Sequence, residues 1–473
     1  MWGQIIPYLH FGAAALISLR VLTRRGLEPS SRLAWIMVVE ALPLVGIGAY
    51  LLFGEVRMRR ADRNRMADVR NHLSNLWRAS RAAVDVSGQF GPVTRIIHAV
   101  GNMRPVQGNH AVLLAQDDSA IDDLVAAIGQ ARDHVHVLFY IWLDDVSGRK
   151  IAQAVSQAAA RGVACRVIVD ALGSRAFVRS DAWRAMAAAG VQQLRAFPLG
   201  LPLISLLWGR LDLRNHRKIV VIDGQTGFTG SRNAADMAFA VKPRFAPWVD
   251  VFFRISGPAV RQMQAVFLQD WMSYGGTDLG DMLEPVDGDG GGAVAQVLAS
   301  GPDWRRGSLS DALVTLIHAA RHRLTVTTPY YIPDPQVQAA LVSAATRGVA
   351  VTLILPARND SRLVCWVSEG FFRDLLEAGV TIMRYRPGLL HAKIITADGQ
   401  AALFGSANLD RRSFDLNYEM NLLWLDAGLT GELDARQACY MADSDPLSLD
   451  EVRNWPRWRV ARANLVALAT PLL

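Results

Sequence analysis

The chain has 473 residues, 51% of them apolar, enough for at least two cores, which excludes a small domain held by cross-links. Its three cysteines, Cys165, Cys365 and Cys439, are odd in number and far apart, so neither a disulfide framework nor a zinc cluster is implied. A net charge of +7 suits an anionic partner, either nucleic acid or an anionic lipid surface.

The N-terminus decides between these partners. Trp2 to Leu19 carry no formal charge, and Ala34 to Phe53 form a second apolar run of twenty residues interrupted only by Glu40 and Pro43. Each is about the length that spans a bilayer core, so residues 1–56 are expected to form a transmembrane hairpin, with a buried helical pair as the alternative. No positive region precedes the first run, which argues against a cleaved signal peptide. Arg20, Arg24, Arg25 and Arg32 precede the second run, and Arg57, Arg59, Arg60, Arg63, Arg65 and Arg70 follow it. The larger cluster opens a basic juxtamembrane linker at 57–105 and favours a cytoplasmic catalytic region. No run of basic and aromatic residues suggests a nucleic-acid groove.

From residue 106 the chain alternates strand and helix patterns, and its second half repeats the first. Val135–Ile141 matches Leu324–Ile332, Gly162–Val169 matches Gly348–Leu355, and Ala189-Gly-Val191 matches Ala378-Gly-Val380. This order predicts an α/β sandwich in each half, at 106–274 and 293–473, joined by a Gly- and Asp-rich linker at 275–292. From Gly190 to His216 the first half takes 26 residues, whereas from Gly379 to His391 the second takes 12. The excess contains Pro198–Gly209, an apolar loop that reads as a lipid-facing element or as a loop packed on the core.

Both halves carry the pattern H-x-K-x4-D-x6-G-S-x-N. It runs through His216, Lys218, Asp223, Gly230, Ser231 and Asn233, and again through His391, Lys393, Asp398, Gly405, Ser406 and Asn408. The chain's only other lysines are Lys150 and Lys242. In a strand, residues two apart share a face, so each histidine–lysine pair can converge on one ligand. Asp223-Gly224 and Asp398-Gly399 predict two-residue hairpin turns, which would set Ser231 opposite His216 and Ser406 opposite His391.

At these residues the chain resembles the phospholipase D superfamily, and Ser406–Glu419, Ser300–Asp303, Leu375–Val380 and Tyr50–Gly54 resemble bacterial cardiolipin synthases. The resemblance implies two phospholipase D-like halves with pseudo-twofold symmetry whose motifs meet at one cleft. It also implies an acidic residue behind each histidine, at Asp250 and Glu419. Two histidines can divide the chemistry of a phosphodiester, one attacking phosphorus and the other serving as acid and base. By analogy His216 is taken as nucleophile and His391 as acid/base, though the symmetry of the motifs leaves this reversible. Lys218, Lys393, Asn233 and Asn408 would stabilise the non-bridging oxygens, while Ser231 and Ser406 bind or position the phosphate. Asp223 and Asp398 are assigned to turn geometry and ion pairing. No metal or other cofactor is called for.

The resemblance further implies a phosphatidyltransferase of the bacterial inner membrane, multi-pass, joining two phosphatidylglycerol molecules into cardiolipin with release of glycerol. Expected partners are these substrates and anionic membrane lipids, and no nucleic acid. The alternatives are a membrane-bound phospholipase D or other phosphatidyltransferase, and an inactive lipid-binding scaffold.

Overall fold

Apolar residues in short unbroken runs fold here into strands buried on both faces, as expected where helices cover a sheet from both sides. The computed structural model describes residues 2–24, 29–42, 44–55, 58, 60–76, 82–198, 213–283 and 291–467. Beyond Pro198, the apolar loop before His216 lies outside the described residues, as does the middle of the 275–292 stretch.

The first half contributes β1 (Val106–Leu113), β2 (His134–Phe139), β3 (Ala164–Asp170), β4 (Gln192–Ala196), β5 (Lys218–Ile222), β6 (Thr226–Gly230) and β7 (Phe252–Ser256). The second contributes β8 (Ala293–Ser300), β9 (Arg323–Thr327), β10 (Ala350–Pro356), β11 (Thr381–Tyr385), β12 (Ile394–Ala397), β13 (Ala401–Gly405), β14 (Asn417–Leu425) and β15 (Ser444–Leu447). They form one continuous sheet, β4-β3-β2-β5-β6-β7-β1 joined edge to edge with β8-β14-β13-β12-β9-β10-β11-β15. Leaving out β15, the second sequence is the first in reverse, with each strand at the equivalent place. β1 and β8 pair antiparallel at the junction, and the Phe253 and Phe404 rings stack across the halves at 3.9 Å. A core shared by both halves lies on one face, and a separate core fills each half beneath its outer helices.

The motif hairpins differ from the expected register. Ile222 pairs with Thr226 and Ala397 with Ala401, so each turn is a three-residue loop rather than a two-residue one. Asp223 and Asp398 both adopt positive φ, at 51° and 54°, which a short polar side chain tolerates. The ladders end at Gly230 and Gly405, before the serines, so neither serine sits across from its own histidine.

The N-terminal segment also departs from expectation. α1 (Trp2–Thr23) is a single long helix, but the second apolar run breaks into α2 (Pro29–Ala41) and α3 (Val45–Phe53), with Leu44 at φ 59° between them. The sequence has Pro43 at this break, a residue with no amide hydrogen to continue a helix. α3 returns beside α2, with Trp35 and Tyr50 edge to face at 5.4 Å. Buried Glu55 then accepts from Arg20 at 2.7 Å, Arg24 at 2.6 Å and Tyr50 Oη at 2.6 Å. Arg32 donates to the Arg24 carbonyl. The two flanks of the second run therefore meet at the C-terminal end of α1, the near flank supplying the arginines and the far flank Glu55. Glu40 accepts from Ser18 of α1 at 2.9 Å. Among the described residues no helix is long and apolar enough to cross a membrane; Gln4, His10 and Ser18 dilute α1.

Described residues of the basic stretch beyond pack on the body. α4 (Arg60–Leu76) packs on the helix Ala259–Ser273, and Arg70 binds Asp303 at 2.7 Å with its guanidinium 5.2 Å over the Trp304 ring.

The glycine of each G-S pair lies against the neighbouring strand: a Cβ would come 2.3 Å from the Val251 carbonyl at Gly230 and 2.4 Å from the Met420 carbonyl at Gly405. Gly230→Ala and Gly405→Ala should each destabilise the protein by roughly 2–4 kcal/mol, read as a lowered midpoint of thermal unfolding; an unchanged midpoint would show that the strands separate freely.

Candidate active site

Two short parallel bridges bring the motifs together. Arg214–Asn215 pairs with Asn417–Tyr418, and Leu389–Leu390 pairs with Trp248–Val249. The His216 amide then donates to the Tyr418 carbonyl at 2.9 Å, and the His391 amide to Val249 at 2.8 Å. Each motif histidine is thus laid beside the acid-bearing segment of the other half.

The side chains follow the backbone. His216 Nδ1 lies 3.0 Å from both carboxylate oxygens of Glu419, and His391 Nδ1 lies 2.7 Å from Asp250 Oδ1. With Nδ1–H donated to a carboxylate, each ring has Nε2 left to act on a substrate. The motif serines secure the acids: Ser231 Oγ donates to Asp250 at 2.6 Å and accepts from the Val251 amide, while Ser406 Oγ donates to Glu419 at 2.5 Å and accepts from Met420. Glu419 is also bonded by Ser413 and Asn417. So the serine of one motif steadies the acid that holds the histidine of the other, and both serine hydroxyls are positioning groups already engaged.

Lys218 and Lys393 are buried between these pairs, each donating to the carbonyl of its own motif histidine, at 2.6 and 2.5 Å. Burial pushes the Lys218 ammonium down to about 8 and the Lys393 ammonium to about 7, with Glu419 and Asp250 opposing the fall. Burial likewise brings the His216 imidazole down to about 4, against the pull of Glu419, and lowers His391, aided by the charge on Lys393. Burial works to raise both acids. The neighbouring His391 and Lys393 overcome it at Asp250, and His216 and Lys218 at Glu419, so both carboxyls stay ionised.

The remaining predicted residues divide. Asp223 accepts the backbone amides of Arg132, Asp133 and His134, and Asp398 those of Arg321, His322 and Arg323. Each aspartate therefore ties its hairpin loop to the start of β2 or β9, with Gln89 Nε2 adding a bond to Asp398; these partners are amides rather than the cations of the expected ion pairs. Asn233 Oδ1 accepts from the Ile141 amide, which leaves its NH2 to donate. Asn408 instead donates to Asp410 at 3.3 Å, and its Oδ1 is buried without a partner. The two asparagines are not equivalent.

Sequence reasoning missed the aromatic walls. Tyr140 stands edge-on to His216 at 4.8 Å, and Lys218 Nζ lies 5.6 Å from its ring centre, while Trp248 lies 4.8 Å from His391. Tyr140 falls in the repeated Tyr-Ile pair that follows β2, a signal that could have marked it. Ser413, Asn417 and Arg217 had no such marker. Among the described residues no group of three His, Cys, Asp or Glu is placed to hold a metal ion.

The family described as "Cardiolipin synthase, PLD-like domain" matches residues 124–271 and 313–437, which contain both motifs. "Phospholipase_D-nuclease N-terminal" matches 13–55. Cardiolipin synthase A of Serratia proteamaculans is 36% identical over 468 residues, covering 97% of this chain and 96% of that protein. This chain belongs to the cardiolipin synthase family. Cardiolipin synthase A of Yersinia pseudotuberculosis is 35% identical over 471 residues, with 97% and 96% covered. Among solved structures, phosphatidylserine synthase of Haemophilus influenzae aligns with a TM-score of 0.59 at 14% identity, over 80% of this chain and all of that one, and shares the fold. In this member of the cardiolipin synthase family the paired sheet halves are thus those of a phospholipase D-like α/β enzyme.

The depressed lysines set a pH dependence. Each ammonium is present below its folded pKa and lost as pH rises through it, so kcat/KM, which reports the free enzyme, should fall above pH 7–8 rather than near the ordinary lysine value of about 10.4. The limb in kcat should lie higher, because a bound phosphate anion favours the ammonium. A pH–rate profile checks this, and a kcat/KM flat to pH 9.5 would refute it.

Proposed function

We propose that the protein is a cardiolipin synthase that transfers a phosphatidyl group from one phosphatidylglycerol to the terminal hydroxyl of a second. The observation that carries this reading is the pair of buried histidines, each held at Nδ1 by the other half's carboxylate, in a chain that matches cardiolipin synthases almost end to end. His216, neutral at pH 7, has an Nε2 lone pair for phosphorus. Its attack forms a P–N bond and breaks the P–O bond to glycerol, whose oxygen takes a proton from His391. His391 then removes the proton of the acceptor hydroxyl, whose oxygen displaces His216. Glu419 stabilises positive charge on His216 as it becomes substituted, and Asp250 does the same for protonated His391. Lys218 and Lys393 stand where charge builds on the non-bridging oxygens.

Incubating purified protein with phosphatidylglycerol alone and identifying products by mass spectrometry tests the reading. Cardiolipin and glycerol support it; phosphatidic acid and glycerol would make the protein a phospholipase, and binding without turnover a scaffold. His216→Ala and His391→Ala should each lower turnover by at least about 10³-fold, with activity unchanged by EDTA. Substantial activity in either variant would rule out the division of labour.

We also propose that residues 1–56 anchor the enzyme in the bacterial inner membrane, with the catalytic body on the cytoplasmic side, and that the 106–274 and 293–473 halves act as one catalytic unit. Support for the anchor comes from the outward apolar side chains Leu16, Leu19, Leu33 and Met37, and from the arginines gathered where the chain leaves α3 toward the body. The fold-back of α3 makes α2–α3 a re-entrant pair beside α1. Deleting 1–56 should reduce flotation with anionic liposomes without unfolding the body. A deletion variant that floats as fully as the intact protein would dismiss the anchor.

A further inference from the structure

The middle residue of the first H-x-K is Arg217, and the corresponding residue of the second is Ala392. Residues one apart in an extended chain face opposite ways, so while Lys218 faces the histidines, Arg217 points behind them. Its side chain is fully buried, and burial of a guanidinium is costly unless its donors are matched. Here they are. Arg217 NH1 donates to Asp270 at 2.6 Å, NH2 to the Ser300 carbonyl at 3.1 Å, and Nε to the Glu419 carbonyl at 3.1 Å, while the guanidinium lies 5.3 Å from the Tyr418 ring centre. Ser300 and Glu419 are direct partners across β8 and β14. Asp270, also buried, accepts as well from Asn215 Nδ2 at 2.8 Å, two residues before Arg217.

The cluster thus ties together the chain leading into His216, the helix Ala259–Ser273 and the backbone at Glu419. At 3.0 Å from two carboxylate oxygens, the His216–Glu419 contact spans the two halves and depends on where β14 sits. We propose that Arg217 and Asp270 form a positioning brace that sets Glu419 on His216, and that only the first motif has it. Ala392 cannot make such bonds, so His391 and Asp250 are held without a counterpart of this arginine. The inference rests on the phosphohistidine reading above, in which His216 and Glu419 act as a pair.

The brace can be replaced without leaving a buried charge. Arg217→Met with Asp270→Leu removes both ions together, a change that buried pairs often tolerate in stability. We expect the unfolding midpoint to stay within a few degrees, kcat to fall at least tenfold and KM for phosphatidylglycerol to stay within twofold. Arg217→Lys, which keeps the charge but not the planar fork, should recover part of the loss. A double-mutant cycle then asks whether the brace works through Glu419: Glu419→Gln should cost several-fold less in the braceless background than in the wild type. Asp250→Asn should cost the same in both. Additive effects for Glu419→Gln, or wild-type kcat in the braceless variant, would overturn the proposal. Should that variant fail to fold, Arg217→Lys decides alone, wild-type kcat overturning the proposal and a lowered kcat with unchanged KM supporting it. Failure of wild-type protein to turn over phosphatidylglycerol would count against the functional reading, whereas the cycle can be read on any phosphodiester it cleaves.

Discussion

Two lysines buried within one site would repel each other and lose their hydration, beside two histidines whose Nδ1–H groups need acceptors, and the structure depends on the two carboxylates that meet both demands. Glu419 and Asp250 do so from opposite halves. Because each acid lies behind the other half's histidine, neither half contains a complete site. Placing His216 beside Glu419 requires the Arg214–Asn215 bridge to β14, and placing His391 beside Asp250 requires the Leu389–Leu390 bridge to Trp248–Val249. The shared core and the β1–β8 seam hold these bridges in register.

The symmetry of the backbone is not carried into the chemistry. One histidine meets a glutamate and a tyrosine ring, the other an aspartate and a tryptophan ring. Glu419 is bonded by the side chains of His216, Ser406, Ser413 and Asn417, and Asp250 by those of His391 and Ser231. Asn233 has an amide free to donate while Asn408 gives its amide to Asp410. Such a difference gives the two histidines unequal proton affinities, which suits a reaction that uses one as nucleophile and the other as acid.

The N-terminal segment is tied to its own end by paired charges, and α4 is tied to the body in the same way. Glu55 gathers Arg20 and Arg24 where α3 returns beside α1, and Arg70 of α4 reaches Asp303. Asp303 stands three residues beyond Ser300, the strand partner of Glu419.

The sequence by itself determined the alternating strands and helices of the two halves and the paired motif residues that the fold brings together. Runs of apolar residues and the turn dipeptides depend on neighbours in the chain, so the two repeated halves and their hairpins were legible, and repetition singled out His216, Lys218, His391 and Lys393 from many residues of the same kind. Only the tertiary structure decided which acid serves which histidine, because Asp250 and Glu419 lie 141 and 203 residues from their partners and no local pattern records that distance. The serines were misplaced for a related reason: one extra residue in each loop shifts the ladder by one, and Ser231 and Ser406 then reach the acids instead of their own histidines. The fold-back of α3 and the role of Arg217 were likewise invisible, since an apolar run looks the same whether it continues or returns, and a buried arginine differs from an exposed one only in the partners that packing brings to it.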